Sequence, residues 1–365
     1  MRPHPVRLPT AAAAPLPVLV LFAVAAARPA AAQSPERFTL RGRDVAVFDP
    51  AGRVQVVAGS GSDVTVEVTR GGRDAGRLRV LTDDVDGRPT LRVVAPEDEL
   101  VYPAMGRYSN ATIRVRDDGT WGGGDGDGWG GRGRKLEIRG SGSGAEAWAD
   151  LVVRVPAGSQ LALQVAAGSA TAQNVSADLK LGTAVAALTV SGTRGNLSVG
   201  AGSGRIDLRD VQGDEVRVGT GSGGARVDGV KADRLTVGSG SGGVEGGGID
   251  AGEARFGTGS GGMRLGLVRA RRLQVGAGSG SVELELGAGL EDARIGTGSG
   301  GITLRVPPAL GATFEVSTGS GGVSTDVPVQ VVRQERNRFE GRVGDGSARV
   351  RVSAGSGSVR LVPAR

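Results

Sequence analysis

The side chains able to do chemistry in this chain are few and unevenly placed. Its one histidine is His4, and it has no cysteine. Without them a mature chain starting beyond His4 cannot assemble a Ser-His-Asp or Cys-His nucleophile, a His/Cys zinc site or a histidine acid–base pair. Carboxylates remain. Asp207, Glu245, Glu283 and Glu285 recur on one stretch of successive repeats, and paired carboxylates are what glycan cleavage uses. Arg226 and Arg264 alternate with them in the same column, however, and a neighbouring guanidinium keeps a carboxylate ionised and unfit to donate a proton. A charge ladder is the better account. We expect no enzyme, no resident metal and no cofactor.

Aromatic residues make up only 3% of the chain, yet Tyr102, Tyr108, Trp121 and Trp129 all fall in the stretch 97–134. Insertions on a repeat scaffold gather on one face and often do the binding, so these four are candidate ligand contacts. The competing account is a cap or a disordered loop whose aromatics pack on the end of the core. Within the stretch, Gly122 to Trp129 is similar to a calcium nonapeptide, but as one imperfect copy with Asp125 at a glycine position. Calcium needs stacked copies to complete its oxygen shell, so no calcium site is assigned.

A repeat must position these groups. With the serine of each Gly-Ser-Gly as origin, Ser203, Ser222, Ser241, Ser260 and Ser279 lie 19 residues apart, Ser299 follows after 20 and Ser320 after 21. A fixed period of this size marks a solenoid. Six residues before the serine stand Leu197, Val216, Leu235, Ala254, Leu273, Ala293 and Phe314; four before it stand Val199, Val218, Val237, Phe256, Val275, Ile295 and Val316. The column between is polar, and this alternation is a half-buried strand. A second strand follows the serine, through Ile206, Val244, Val282 and Ile302 and their equivalents, and Val211, Val230, Ile249 and Val268 suggest a third wall. The reading is all-β: a single-stranded parallel β-helix, or β-solenoid, of about 19 residues per coil, right-handed by the usual rule for parallel crossovers. The corner glycines are expected to supply positive φ and to let coils approach closely.

The solenoid is expected to span 38–365, with 97–134 as an irregular glycine- and aromatic-rich insertion. Val54 and Val56 precede Gly59-Ser60-Gly61 at the offsets of six and four, so they read as a first-wall strand. Leu78 with Val80, and Leu91 with Val93, read as further coil strands. Leu136 and Ile138 mark the return to the coils, and Leu163 and Val165 lead into Ser169. Ser320 to Ser356 reads as one coil with a charged excursion from Arg333 to Arg342, leaving Val359–Val362 as an edge that needs a cap or partner.

At the start, Arg2 and Arg7 precede an apolar stretch of about 12 residues, Leu16 to Ala27, and then Ala30-Ala31-Ala32-Gln33. This reads as a signal peptide over 1–32, too short to span a bilayer. The product would be exported, to the periplasm, the cell surface or the medium, with no integral membrane segment after cleavage. Losing Arg2, Arg7 and Arg28 lowers the formal charge from +6 to +3, which gives nucleic-acid binding little support.

Val45-Ala46-Val47-Phe48 with Ala51-Gly52-Arg53-Val54, the repeated T-G-S-G-G-V/I and the closing Ala354-Gly355-Ser356-Gly357-Ser358-Val359-Arg360-Leu361 resemble the bacterial "putative adhesin" family of unknown function. The resemblance covers nearly all of the mature chain and implies an exported β-solenoid acting in adhesion or envelope scaffolding, with no catalytic residues to carry over. Surface glycans or envelope proteins are the expected partners, with end-to-end self-association as a further one. A polysaccharide-binding or polysaccharide-degrading β-helix is the alternative. Intact-mass measurement of the exported protein should give a chain beginning at Gln33; a mass retaining Met1 to Ala32 would contradict the leader.

Overall fold

The computed structural model describes residues 34–122 and 133–364; the leader at 1–32 and Trp129 with most of its glycine run lie outside them. Among the described residues helix is confined to two short 3-10 turns, Ala75–Arg77 and Pro103–Met105, and the strands form one sheet of 24 and one of four. No described helix is long and apolar enough to cross a membrane.

Register shows how the coils stack. On the first wall Leu197 lies beside Val216, Val216 beside Leu235, Leu235 beside Ala254, Ala254 beside Leu273 and Leu273 beside Ala293, all in parallel. On the second wall Ile206 pairs with Ala225, Ala225 with Val244, Val244 with Met263, Met263 with Val282 and Val282 with Ile302. Val211 beside Val230, and Ile249 beside Val268, continue the same bent strands around a third side. Every residue of the two first-wall apolar columns is buried, at roughly 1.5–3 kcal/mol for each large side chain removed from water. The result is an all-β, solenoid-like stack with a filled interior.

At the corner the structure corrects one expectation. None of the Gly-Ser-Gly glycines from Gly202 to Gly357 has positive φ; closeness alone demands them. A Cβ on Gly223 would lie 2.0 Å from the carbonyl oxygen of Gly204, and one on Gly242 2.0 Å from that of Gly223. The backbones are drawn together by inter-coil bonds: the Ser222 amide donates to the Gly202 carbonyl at 2.9 Å and the Ser241 amide to Gly221 at 3.0 Å. Two residues before each serine runs a buried column that the apolar pattern does not reveal. Its Thr220, Ser239, Thr258 and Thr297 hydroxyls donate to the carbonyls of Gly204, Gly223, Gly242 and Gly280 at 3.5, 3.2, 3.3 and 3.1 Å. A buried carbonyl left unbonded costs about 1–3 kcal/mol, which these hydroxyls avoid.

The N-terminal end departs from the expected phase. Val45 and Val47 stand on the first wall, beside Leu161 and Leu163, while Val54 and Val56 stand on the second, beside Ala170 and Ala172. The coil leading to Ser169 is likewise shifted: Leu161 and Leu163 occupy the two apolar columns, and Val165 takes the place of the buried hydroxyls. Gly61, at φ 90°, turns the chain back, so Val64–Gly71 runs antiparallel to both Glu36–Leu40 and Trp148–Pro156. Arg79–Val85 and Arg88–Val94 form an antiparallel hairpin instead of coils, its second strand lying parallel on Asp44–Gly59. Leu136 and Ile138 do not return to the coils either. They belong to Arg134–Arg139, which with Glu99–Val101, Asn110–Val115 and Ala145–Glu146 builds the four-stranded sheet. The insertion is therefore a small sheet of its own.

The C-terminal end holds the largest surprise. Val359 and Leu361 are not an edge: Val359–Pro363 is bonded to Ile302–Val306 on one side and Val323–Thr325 on the other. Ala348–Ala354 likewise lies between Asp292–Thr297 and Ala312–Thr318. The last coil is thus inserted between two earlier ones. The first wall then ends in an antiparallel hairpin, Gln330–Gln334 with Arg338–Val343, laid on Ala312–Thr318.

Asp49 occupies the buried hydroxyl column at its N-terminal end, beside Val165. It is fully buried; one oxygen accepts from the Ala51 amide at 3.3 Å and the other has no partner. Burial pushes its carboxyl well above the usual range, and the nearby Asp150 adds to the shift.

Two predictions follow from this packing. Gly242→Ala should cost about 1–3 kcal/mol by forcing a Cβ into backbone, whereas Gly238→Ala, where a Cβ meets nothing within 4 Å, should be neutral or gain about 0.5–1 kcal/mol; equal effects in thermal melts would contradict the corner account. The raised Asp49 pKa contributes stability that is full below the unfolded carboxylate value of about 3.9 and is lost as pH rises through the folded value. Asp49→Asn should therefore gain on the parent between pH 4 and pH 8, and parallel melting curves across that range would contradict it.

Candidate functional site

The four sequence-picked aromatics do not form one site. Tyr102 and Trp121 are 3% and 2% exposed, so they cannot serve as surface contacts. Trp121 meets Phe48 edge-on, with ring centroids 5.3 Å apart, and fastens the insertion to Asp44–Gly59; Tyr102 packs on Trp148 at 5.6 Å. Burial pushes the Tyr102 phenol up. Their clustering in sequence reflects a local core, since a small sheet needs bulky anchors to bury enough apolar area. Tyr108 is the opposite case at 94% exposed. Trp129 lies outside the described residues.

The expected charge ladder is present along most of the second wall. Arg226 reaches Glu245 at 3.9 Å, Glu245 reaches Arg264 at 3.9 Å and Arg264 reaches Glu283 at 3.5 Å. Asp207 pairs with Arg209 of its own strand at 3.2 Å, two residues on, in place of Arg226. The Glu283 carboxyl is held below the ordinary range by Arg305, 2.7 Å away, and then by Arg264. Such a carboxylate stays ionised. The carboxyl that is pushed up, Asp49, is sealed in the core. Among the described residues no group of His, Asp or Glu is arranged to hold a metal.

A groove of about 1040 Å³ lies on the outer face of the first wall at its C-terminal end. Register places one ridge of it in order: Gln274, Arg294, Arg351, Glu315, Glu340 and Arg333 stand side by side on successive strands. A second line passes through Gly276, Gly296, Ser353, Ser317 and Arg338. Neighbouring strands are about 4.8 Å apart, so the groove runs along the stack like a shallow channel. Arg351 is tied to Asp292 at 3.2 Å and to Glu315 at 3.5 Å, and Arg294 to Asp292 at 3.5 Å. Arg333 has only a 4.0 Å approach to Glu335, and Arg338 makes no ion pair among the described residues. Phe339 lines the groove from beneath and is 2% exposed.

Sequence reasoning missed this groove for a physical reason: the inserted last coil and the antiparallel hairpin supply Arg351, Ser353, Arg333, Arg338 and Glu340 and close its C-terminal end. One signal was legible. Three residues before each serine stands an outward glycine, Gly200, Gly219, Gly238, Gly257 and Gly276, with negative or extended φ and nothing within 4 Å of a would-be Cβ. The fold does not require glycine there.

Comparison with curated proteins matches none. Three solved structures are similar. One, described as a "putative cell adhesion protein" of Clostridium sporogenes, is 10% identical, covers 90% of this chain and all of its own, and has a TM-score of 0.24. A "putative lipid binding protein" of Parabacteroides distasonis is 12% identical over 90% of this chain and 97% of its own, with a TM-score of 0.43. A "putative adhesin" of Parabacteroides merdae is 11% identical over 90% and 95%, with a TM-score of 0.40. The Toastrack DUF4097 family model matches residues 132–362, from the strand Arg134–Arg139 to the last coil. Since that is more than half of its length, the chain belongs to the Toastrack DUF4097 family.

Proposed function

We propose that the chain is exported to the periplasm, cell surface or medium and acts without catalysis in adhesion or cell-envelope scaffolding. On this reading it is a right-handed, single-stranded parallel β-helix of about 19 residues per coil. The observation that carries the reading is the groove on the outer first wall: a long open channel on a stiff stack, with arginines and glutamates on its rim. A surface of this kind holds an extended partner along its length. Envelope glycans or envelope proteins are the partners that suit it, and Tyr108, at 94% exposed, is a second contact on the insertion.

Degradation of a polysaccharide is the weaker reading. A glycosidase needs one carboxyl kept protonated beside another that is ionised. Glu283 is held low by two arginines and Asp49 is out of reach of solvent, so neither suits the acid role. Nucleic acid is a poor fit, because among the described residues Tyr108 is the one large exposed aromatic available for base stacking. End-to-end self-association is opposed by the closing hairpin: its outer strand carries a bulge between Val331 and Arg333 and the charged Arg333, two devices that discourage strand pairing.

The test is retention of envelope fragments from the protein's own host on the immobilised mature chain. The reading predicts salt-sensitive retention, no release of reducing sugar, and a several-fold loss with Tyr108→Ala at unchanged melting temperature. Absence of retention would overturn adhesion and scaffolding, and sugar release abolished by changing one wall carboxylate would establish the hydrolytic reading instead.

A further inference from the structure

The groove on the first wall has a particular balance of charge. Its ridge and second line bring four arginines, Arg294, Arg333, Arg338 and Arg351, against two glutamates, Glu315 and Glu340. Arg351 is committed to Asp292 and Glu315, and Arg294 to Asp292. Among the described residues, Arg333 and Arg338 sit on the exposed hairpin with nothing of comparable strength against them. The guanidinium fork matches a carboxylate with two parallel bonds. Glu315 and Glu340 lie directly opposite each other in register, with Ser317 and Ser353 in the neighbouring line. Glu315 already has Arg351 at 3.5 Å and Arg349 at 3.7 Å against it, whereas Glu340 makes no ion pair among the described residues and is left to accept from outside donors. Ligand hydroxyls are such donors.

Resting on the binding role proposed above, we propose that this groove binds a linear acidic glycan, its carboxylates received by Arg333 and Arg338 and its ring hydroxyls by Glu315, Glu340, Ser317 and Ser353. The shape agrees: the channel crosses seven strands, from Gly257 to Arg333, and is open along its run, as an extended polymer requires. The charge agrees as well. An excess of two positive groups over such a length suits a polymer with well-spaced carboxylates, whereas duplex DNA presents a charge about every 1.7 Å. Phe339 is covered, at 2% exposure, so no ring is offered to a nucleobase. Glycine at Gly257 and Gly276, where a Cβ would meet open space, leaves the floor flat enough for sugar rings to lie on it.

Isothermal titration of the mature chain with polygalacturonate, dextran and a single-stranded oligonucleotide tests the proposal. Polygalacturonate should bind, dextran at least tenfold more weakly, and the oligonucleotide no better than dextran. Arg333→Gln with Arg338→Gln should weaken polygalacturonate at least tenfold and flatten its salt dependence, with melting temperature unchanged because both side chains are exposed. The charge-matched control, Arg226→Gln with Arg264→Gln on the second wall, should stay within twofold. Equal loss in the two double variants, or preference for the oligonucleotide, would overturn the site. A chain that still retains envelope fragments but ignores polygalacturonate would overturn this inference alone; loss of envelope retention would overturn the binding role itself.

Discussion

Everything in this molecule depends on how closely one coil can approach the next at the Gly-Ser-Gly corner. Glycine backbone lies against glycine backbone there, near enough that any Cβ would strike the carbonyl below. Amide bonds from Ser222 to Gly202 and from Ser241 to Gly221 hold that contact, and the Thr220, Ser239, Thr258 and Thr297 hydroxyls satisfy carbonyls at its inner side. Once the corner fixes the register, the Val, Leu and Ile columns stack on their own kind and the ion pairs of the second wall fall within reach. A shift of one residue would turn every inward side chain outward.

Much of this was legible from periodicity. The inward columns from Leu197 to Val316, the polar column between them, and the Arg226, Glu245, Arg264 and Glu283 ladder all follow from spacing and residue type. The cause of the corner glycines did not, because positive φ and close approach make the same demand on sequence and only geometry separates them. The phase of Val54 and Val56 failed because a serine flanked by glycine marks both a stacked corner and the hairpin turn at Gly61. Insertion of the last coil was hidden for a similar reason: Ser299 to Ser320 is a distance that direct stacking would also satisfy. Spacing along the chain does not say which coil is the neighbour in space.

The candidate site divides in the same way. Clustered aromatics were visible, but whether a ring faces solvent is decided by the sheet beneath it, which buried Tyr102 and Trp121 and left Tyr108 out. The groove draws its ridge from Gln274, Arg294, Glu315, Arg333, Glu340 and Arg351, and from Arg294 onward these residues are neighbours only because the chain doubles back. The outward glycines from Gly200 to Gly276 were the clue in the sequence: their lack of side chains costs the strands stability and gains the coil nothing. Local rules broken without a structural reason are where function is to be sought. A stiff scaffold filled with apolar side chains leaves its outer faces free to carry contacts, and the proposed role follows from that division between inside and outside.

The stacking order is the claim on which the rest stands, and engineered disulfides read it directly in a chain that has no cysteine of its own. Corner residues on adjacent coils are about 4.8 Å apart, within the roughly 4.4–6.8 Å span between Cα atoms that a disulfide bridges. Ser299→Cys with Ser356→Cys should therefore oxidise readily, as should Ser320→Cys with Ser356→Cys, since the Ser356 amide bonds the Gly298 carbonyl and the Ser320 amide bonds that of Gly355. Ser299→Cys with Ser320→Cys, one coil further apart, should stay reduced. Rapid oxidation of that last pair, with none between Ser299→Cys and Ser356→Cys, would show the coils stacked in simple chain order and would dissolve the groove with them.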